Sequence, residues 1–181
     1  NMTPRLDISV SVDTVTATAN ATVGDAGGAA KGVYTYLGAV GVNPEIYIHD
    51  CTIRDISPNE DGDCVHVAIG SDYQAEGHSG QCRIERVQAF NGAKRHFKVQ
   101  MPNTTIIDCW AEGAGYGYDT YSPDTTFIRC NGRVGIVIWR SDRVRTSIID
   151  CWGETTWPVS LETTAQSADT VIRNVRAETS Y

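Results

Sequence analysis

Residues 104–111 read TTIIDCWA and residues 146–153 read TSIIDCWG. The two stretches match position by position, and four more align with them without gaps: 46–53 (IYIHDCTI), 82–89 (CRIERVQA), 125–132 (TTFIRCNG) and 170–177 (TVIRNVRA). The third position is always large and apolar: Ile48, Ile84, Ile106, Phe127, Ile148 and Ile172. The sixth is Cys51, Val87, Cys109, Cys130, Cys151 and Val175, and these fall 36, 22, 21, 21 and 24 residues apart. The eighth is Ile53 and then always Ala or Gly. A recurring octet at this spacing is the signature of a solenoid, in which each repeat buries its apolar face only by stacking on its neighbours.

A second strand-like run accompanies the octets, at 33–37 (VYTYL), 64–70 (CVHVAIG), 96–101 (HFKVQM), 116–121 (YGYDTY), 135–139 (GIVIW) and 157–162 (WPVSLE). These runs alternate apolar with polar or small residues, as a strand with one buried face does. No helical periodicity interrupts them, and the leucine spacing of leucine-rich repeats is absent. The chain is therefore expected to be all-β, a right-handed parallel β-helix of six to seven turns with 21–24 residues in each. Residues 1–31 are expected to be an entry segment of irregular or edge strands, and 32–181 the helix itself. The opening Asn-Met-Thr-Pro and the closing Glu-Thr-Ser-Tyr suggest a fragment cut from a longer chain.

Stacking fixes what each column must do. Equivalent residues in successive turns lie about 4.7–4.9 Å apart, so each column becomes a ladder of like side chains. Burying each apolar residue of the third position contributes roughly 1.5–3 kcal/mol. The fifth position reads Asp50, Arg86, Asp108, Arg129, Asp150, Asn174, which sets opposite charges on neighbouring turns. The small eighth position suits a tight corner. Of six cysteines, four share the inward sixth column, where parallel side chains hold their Cβ atoms too far apart for a disulfide. No C-x-x-C pair offers a metal site. They are expected to be inert buried thiols, acting as small hydrophobes in a protein assembled in a reducing compartment.

Composition narrows the partners. The net charge of −7 argues against nucleic acid, and no apolar run is long enough to insert in a membrane. Basic clusters at 94–98 (KRHFK) and 133–145 read as solvated faces. Nothing in the sequence calls for a metal or a cofactor.

The candidate site residues lie on the outer wall. If Val65, Val67, Phe97, Val99, Tyr116, Tyr118, Ile136, Ile138, Val159 and Leu161 point inward, then His66, His96, Lys98, Asp119, Tyr121, Trp139, Ser160 and Glu162 point outward. Asp119 and Glu162 are candidate catalytic carboxylates two turns apart. Their backbones would be about 9–10 Å apart, nearer the inverting than the retaining arrangement of glycosidases. Tyr121, Trp139, His66 and Lys98 are candidate substrate-binding residues beside them. The seventh octet position (Thr52, Gln88, Trp110, Asn131, Trp152, Arg176) forms a second outward stripe. Trp110 and Trp152 offer either platforms for sugar rings or a surface to bury against another subunit.

The apolar-x-x-Cys-x-small octet resembles that of the pectate-lyase-like β-helix superfamily, over most of residues 32–181. The resemblance implies the fold. It also points to polysaccharide as the ligand, since the superfamily holds polysaccharide lyases, polygalacturonase-like hydrolases and bacteriophage tailspikes. Tailspikes are similar in a further respect: they assemble reduced and trimerise side by side. Residues 59–71, 77–80 and 83–84 look like polygalacturonase signatures, yet they fall within about one turn and its loop and would not converge. The expected function is that of a tailspike or tail-fibre segment, in a phage virion or outside the cell, which binds and in one reading cleaves bacterial surface polysaccharide as a homotrimer. A secreted lyase or glycoside hydrolase and a purely structural trimeric scaffold remain the alternatives.

Overall fold

The computed structural model describes residues 5–11, 14–17, 33–37, 45–54, 63–69, 81–92, 94–156, 161–164 and 167–180. The polygalacturonase-like stretches at 59–62 and 77–80 lie outside these residues, as do Val159 and Ser160. The first strands are β1 (Arg5–Ser11), β2 (Thr14–Ala17), β3 (Val33–Leu37), β4 (Glu45–His49), β5 (Thr52–Arg54), β6 (Asp63–Ile69), β7 (Gln81–Glu85) and β8 (Gln88–Phe90). There follow β9 (Arg95–Gln100), β10 (Thr104–Ile107), β11 (Trp110–Gly113), β12 (Tyr116–Thr120), β13 (Thr125–Ile128) and β14 (Asn131–Val134). The last are β15 (Trp139–Ser141), β16 (Ser147–Ile149), β17 (Trp152–Thr155), β18 (Leu161–Thr163), β19 (Val171–Arg173) and β20 (Arg176–Thr179).

Every third strand pairs in parallel. The first sheet runs β19-β16-β13-β10-β7-β4-β1 and ends on β2, which is antiparallel to β1; the second runs β20-β17-β14-β11-β8-β5 and the third β18-β15-β12-β9-β6-β3. This is an all-β parallel solenoid. From β4 to β18 the strands follow one another as five successive triplets, one strand in each sheet. The expected six to seven turns count also the flanking strands, which extend the same sheets. The octet register holds without a gap, with Cys82, Thr104 and Thr125 side by side and Ile84, Ile106 and Phe127 two residues on.

The octet is two strands, because its fifth residue bends. Asp50, Arg86, Asp108, Arg129, Asp150 and Asn174 all have φ between 49° and 54°. Asp and Asn enter this left-handed region readily; for an arginine it costs roughly 1–2 kcal/mol. The neighbouring turn supplies compensation. Arg129 grips Asp108 through Nε (2.6 Å) and Nη2 (2.8 Å), and Arg86 grips Asp50 in the same way. The corner thus sits at the fifth position and not, as expected, at the eighth. A second bend of φ 53–57° precedes each later octet, at Asn103, Asp124, Arg145 and Asp169. There the first octet threonine donates back to the carbonyl three residues earlier, as Thr104 does to Met101 (2.7 Å) and Thr170 to Ser167 (2.9 Å).

The eighth position is small because the opposite wall fills its space. A Cβ on Gly153 would meet Cγ1 of Ile138 at 2.6 Å and the Trp139 ring at 3.1 Å. The core joins the third-position ladder to Val65, Val67, Phe97, Val99, Tyr118, Ile138 and Trp139, with the Phe97 and Tyr118 rings stacked at 4.8 Å. All six cysteines are buried thiols. Burial pushes those of Cys51 and Cys109 up to about 12, which leaves them protonated and inert.

Candidate outer-wall binding site

The outer face of the third sheet carries one continuous polar column. Register places His66 beside Lys98, Lys98 beside Asp119, Asp119 beside Arg140 and Arg140 beside Glu162. Four of the expected residues therefore do share a stripe. Trp139 does not: it continues the inward column of Phe97 and Tyr118 and is 1% exposed. The cause is local. Val137, Ile138 and Trp139 are all buried, so β15 begins four residues later than the run at 135–139 and its alternation is broken. Arg140 takes the outward place assigned to Trp139. Tyr116, expected inside, is half-buried beneath the Arg140 guanidinium (5.7 Å). His96, expected outside, is buried with its ring nitrogens against the carbonyls of Tyr116 (2.7 Å) and Glu112 (2.8 Å).

The column is a closed network more than an open groove. Asp119 is fully buried; its Oδ2 accepts from Arg95 Nε (2.6 Å) and from the Tyr121 hydroxyl (2.9 Å). Tyr121 in turn accepts from Arg95 Nη2 (2.9 Å) and Arg140 Nη1 (3.3 Å), and both guanidiniums lie within 5.6 Å of its ring centre. Lys98 is 6% exposed and lies 3.7 Å from Asp63, which also contacts Arg95 and His66 at 3.5 Å. The basic cluster at 94–98, read as a solvated face, thus has two of its cations inside the fold. Burial pushes the Asp119 carboxyl above its ordinary range against the pull of Arg95, and pushes Tyr121 up to about 12. Arg140 reaches Asp119 (3.9 Å), Asp142 (3.2 Å) and the half-exposed Glu162 (3.6 Å). The rung between the two candidate catalytic carboxylates is thus occupied by a cation that binds both, where an inverting pair needs room for sugar and water.

The second outward stripe is more accessible. Trp110, Asn131 and Trp152 stand on successive rungs of the second sheet, and the Asn131 side-chain oxygen accepts from the Trp152 backbone N–H (2.7 Å). The two indoles lean across that rung and stack at 6.1 Å, 20° from parallel. Trp152 also lies 5.6 Å from the Arg133 guanidinium, whereas the Trp110 N–H is tied to Glu112 (2.9 Å). Beside Trp110 a cleft of about 540 Å³ runs along the corner between the first and second sheets. Arg86, Asp108, Arg129 and Asp150 of the fifth-position ladder form one wall, Gln88, Trp110 and Asn131 the other, and Cys109 the floor. The sequence shows both walls as columns of the octet. What it hides is that the fifth-position bend turns them toward each other.

Among the described residues no three His, Cys, Asp or Glu side chains gather as a metal site would require, and no helix is long and apolar enough to cross a membrane. In comparisons with known proteins, no family model, no curated protein and no solved structure matched the chain.

Proposed function

We propose that this solenoid is a polysaccharide-binding wall of tailspike or tail-fibre character, which holds bacterial surface polysaccharide in the corner cleft over Trp110 and does not itself cut it. The observation that carries this reading is the cleft's lining: an indole face beside the amides of Gln88 and Asn131 and the charged groups of the ladder. Stacking on an aromatic face with planar hydrogen-bonding groups around it suits a hydroxylated ring, apolar on its faces and polar at its edges. The resemblance to tailspikes supports the rest of the proposal, a homotrimer in a phage tail or outside the cell.

Cleavage is the second reading, favoured by the raised carboxyl of Asp119, since a general acid must hold its proton near the working pH. One experiment separates the two. Lipopolysaccharide and capsular polysaccharide are titrated against the protein, with binding followed by tryptophan fluorescence and cleavage by release of reducing ends or unsaturated sugars. Under the binding reading Trp110→Ala weakens association by up to about tenfold, no ends are released, and Asp119→Asn and Glu162→Gln bind as the wild type does. Released ends that vanish in Asp119→Asn would establish cleavage instead, and no association with any polymer would remove both readings.

A further inference from the structure

We infer that the corner cleft selects uncharged sugars and rejects polymers bearing uronate or other acidic residues, an inference that rests on the polysaccharide-binding reading above. Its two arginines are already engaged. Arg129 forks onto Asp108 at 2.6 and 2.8 Å, and Arg86 onto Asp50, with its third nitrogen on Glu85. A bidentate pair through Nε and Nη2 takes the fork of the guanidinium and offsets its charge, and leaves Arg129 only the Nη1 edge to offer a sugar carboxylate. The acceptors in the cleft are not all engaged. Asp150 receives Asn174 on Oδ1 (3.0 Å), and its Oδ2 has no hydrogen-bond partner among the described residues.

The neutral groups are free in the way a hydroxylated ligand needs. Asn131 spends its oxygen on the Trp152 backbone, which leaves its NH₂ as a donor. Gln88 is exposed, and its amide makes no side-chain hydrogen bond among the described residues. Trp110 is stacked by Trp152 toward one end of the solenoid, so its other face looks toward the Gln88 rung. A neutral pyranose over that face finds an amide donor, an amide of both characters and a carboxylate acceptor for its hydroxyls. An acidic sugar meets the Asp150 carboxylate one rung from Arg129, whose fork is already taken by Asp108, in a chain whose net charge is −7. A like charge placed beside a cation that already serves another carboxylate disfavours an anionic ligand.

The test immobilises neutral O-antigen and uronate-containing capsular polysaccharides and reads binding by surface plasmon resonance at low and high salt. The wild type is expected to bind the neutral polymers with little salt dependence. Trp110→Ala should lose up to about tenfold. Gln88→Ala, a change at an exposed amide, should lose a few-fold and reads the same cleft if Trp110→Ala disturbs the wall. Asp108→Asn releases the Arg129 fork and should raise affinity for the uronate polymers by about threefold or more. Wild-type preference for acidic polymers, weakening at high salt, would overturn the charge selectivity and leave polysaccharide binding standing. Neutral binding unchanged in both cleft variants would place the ligand elsewhere and overturn the inference. Failure to bind any polymer would overturn it together with the reading on which it rests.

Discussion

Asp119 and Asp108 are both aspartates on outward positions of strands or corners, both held by an arginine at 2.6 Å from Nε, and their energetics should differ sharply. Asp108 is exposed, so its ion pair gains little over water and is worth about 0–1 kcal/mol. Asp119 is buried with Arg95, and removing it strands a cation away from solvent, at a cost of about 3–5 kcal/mol. Urea unfolding of Asp119→Ala and Asp108→Asn should show that difference, and equal losses would mean that the third sheet's outer face is open to water. The contrast also bears on function. A carboxylate that the fold needs as an ionic partner is poorly placed to shed and accept protons in a reaction, whereas Trp110, which the core does not use, can be given over to a ligand. The same logic separates the two indoles: Trp152 is packed by Trp110 and Arg133 and serves as the support on which Trp110 rests.

At the level of strands, the octet register was fully legible because each column obeys one physical demand. The third position must be large, and the charges of the fifth must alternate along the stack. The bend is legible as a residue pattern, but its position is not. Small residues at the eighth position suggested tight curvature, while the reason for their size lies across the core, in Ile138 and Trp139. The third sheet is less legible. Its strand β15 begins on the last residue of an unbroken apolar run, 136–139, in which alternation gives no phase, and a shift of one residue exchanges Trp139 for Arg140. Nor could alternation alone reveal that Asp119 and Lys98, though outward, are buried. The charge ladders at the bends carry a prediction of their own. Arg129 and Arg145 hold Asp108 and Asp124 below the usual carboxylate range. A depressed folded value means stability that is present above the ordinary carboxylate pKa of about 3.9 and is lost as pH falls through the depressed values. The combined Arg129→Ala and Arg145→Ala variant should therefore melt below the wild type at neutral pH and level with it in acid. A gap that persists at the lowest pH would assign the arginines a packing role instead of an ionic one.

A stack of repeats is held together by nearest-neighbour contacts, so its stability is distributed along the axis and is weakest where a rung has one neighbour instead of two. Strands β18, β19 and β20 each pair on one side within their sheets. The third-position ladder shows the consequence: Ile106 and Ile148 are 0% and 1% exposed, whereas Ile172 in the same column is 51% exposed and Val171 beside it 52%. At the opposite end β1 is paired on both sides, by β4 and by the antiparallel β2. Hydrogen exchange should therefore run down a gradient, with amides of β10–β14 the most protected and those of β19 and β20 opening at a fraction of the global free energy. Substitution should follow the same axis. Ile106→Asp places an uncompensated charge in the core, where the penalty is many kcal/mol unless the stack opens locally, whereas Ile172→Asp meets water and should cost well under that. If β19 proves as protected as β13, and if that protection rises with protein concentration, the exposed rung is covered in solution by a second copy. Protection that is high and independent of concentration would contradict the one-sided pairing of the last rung itself.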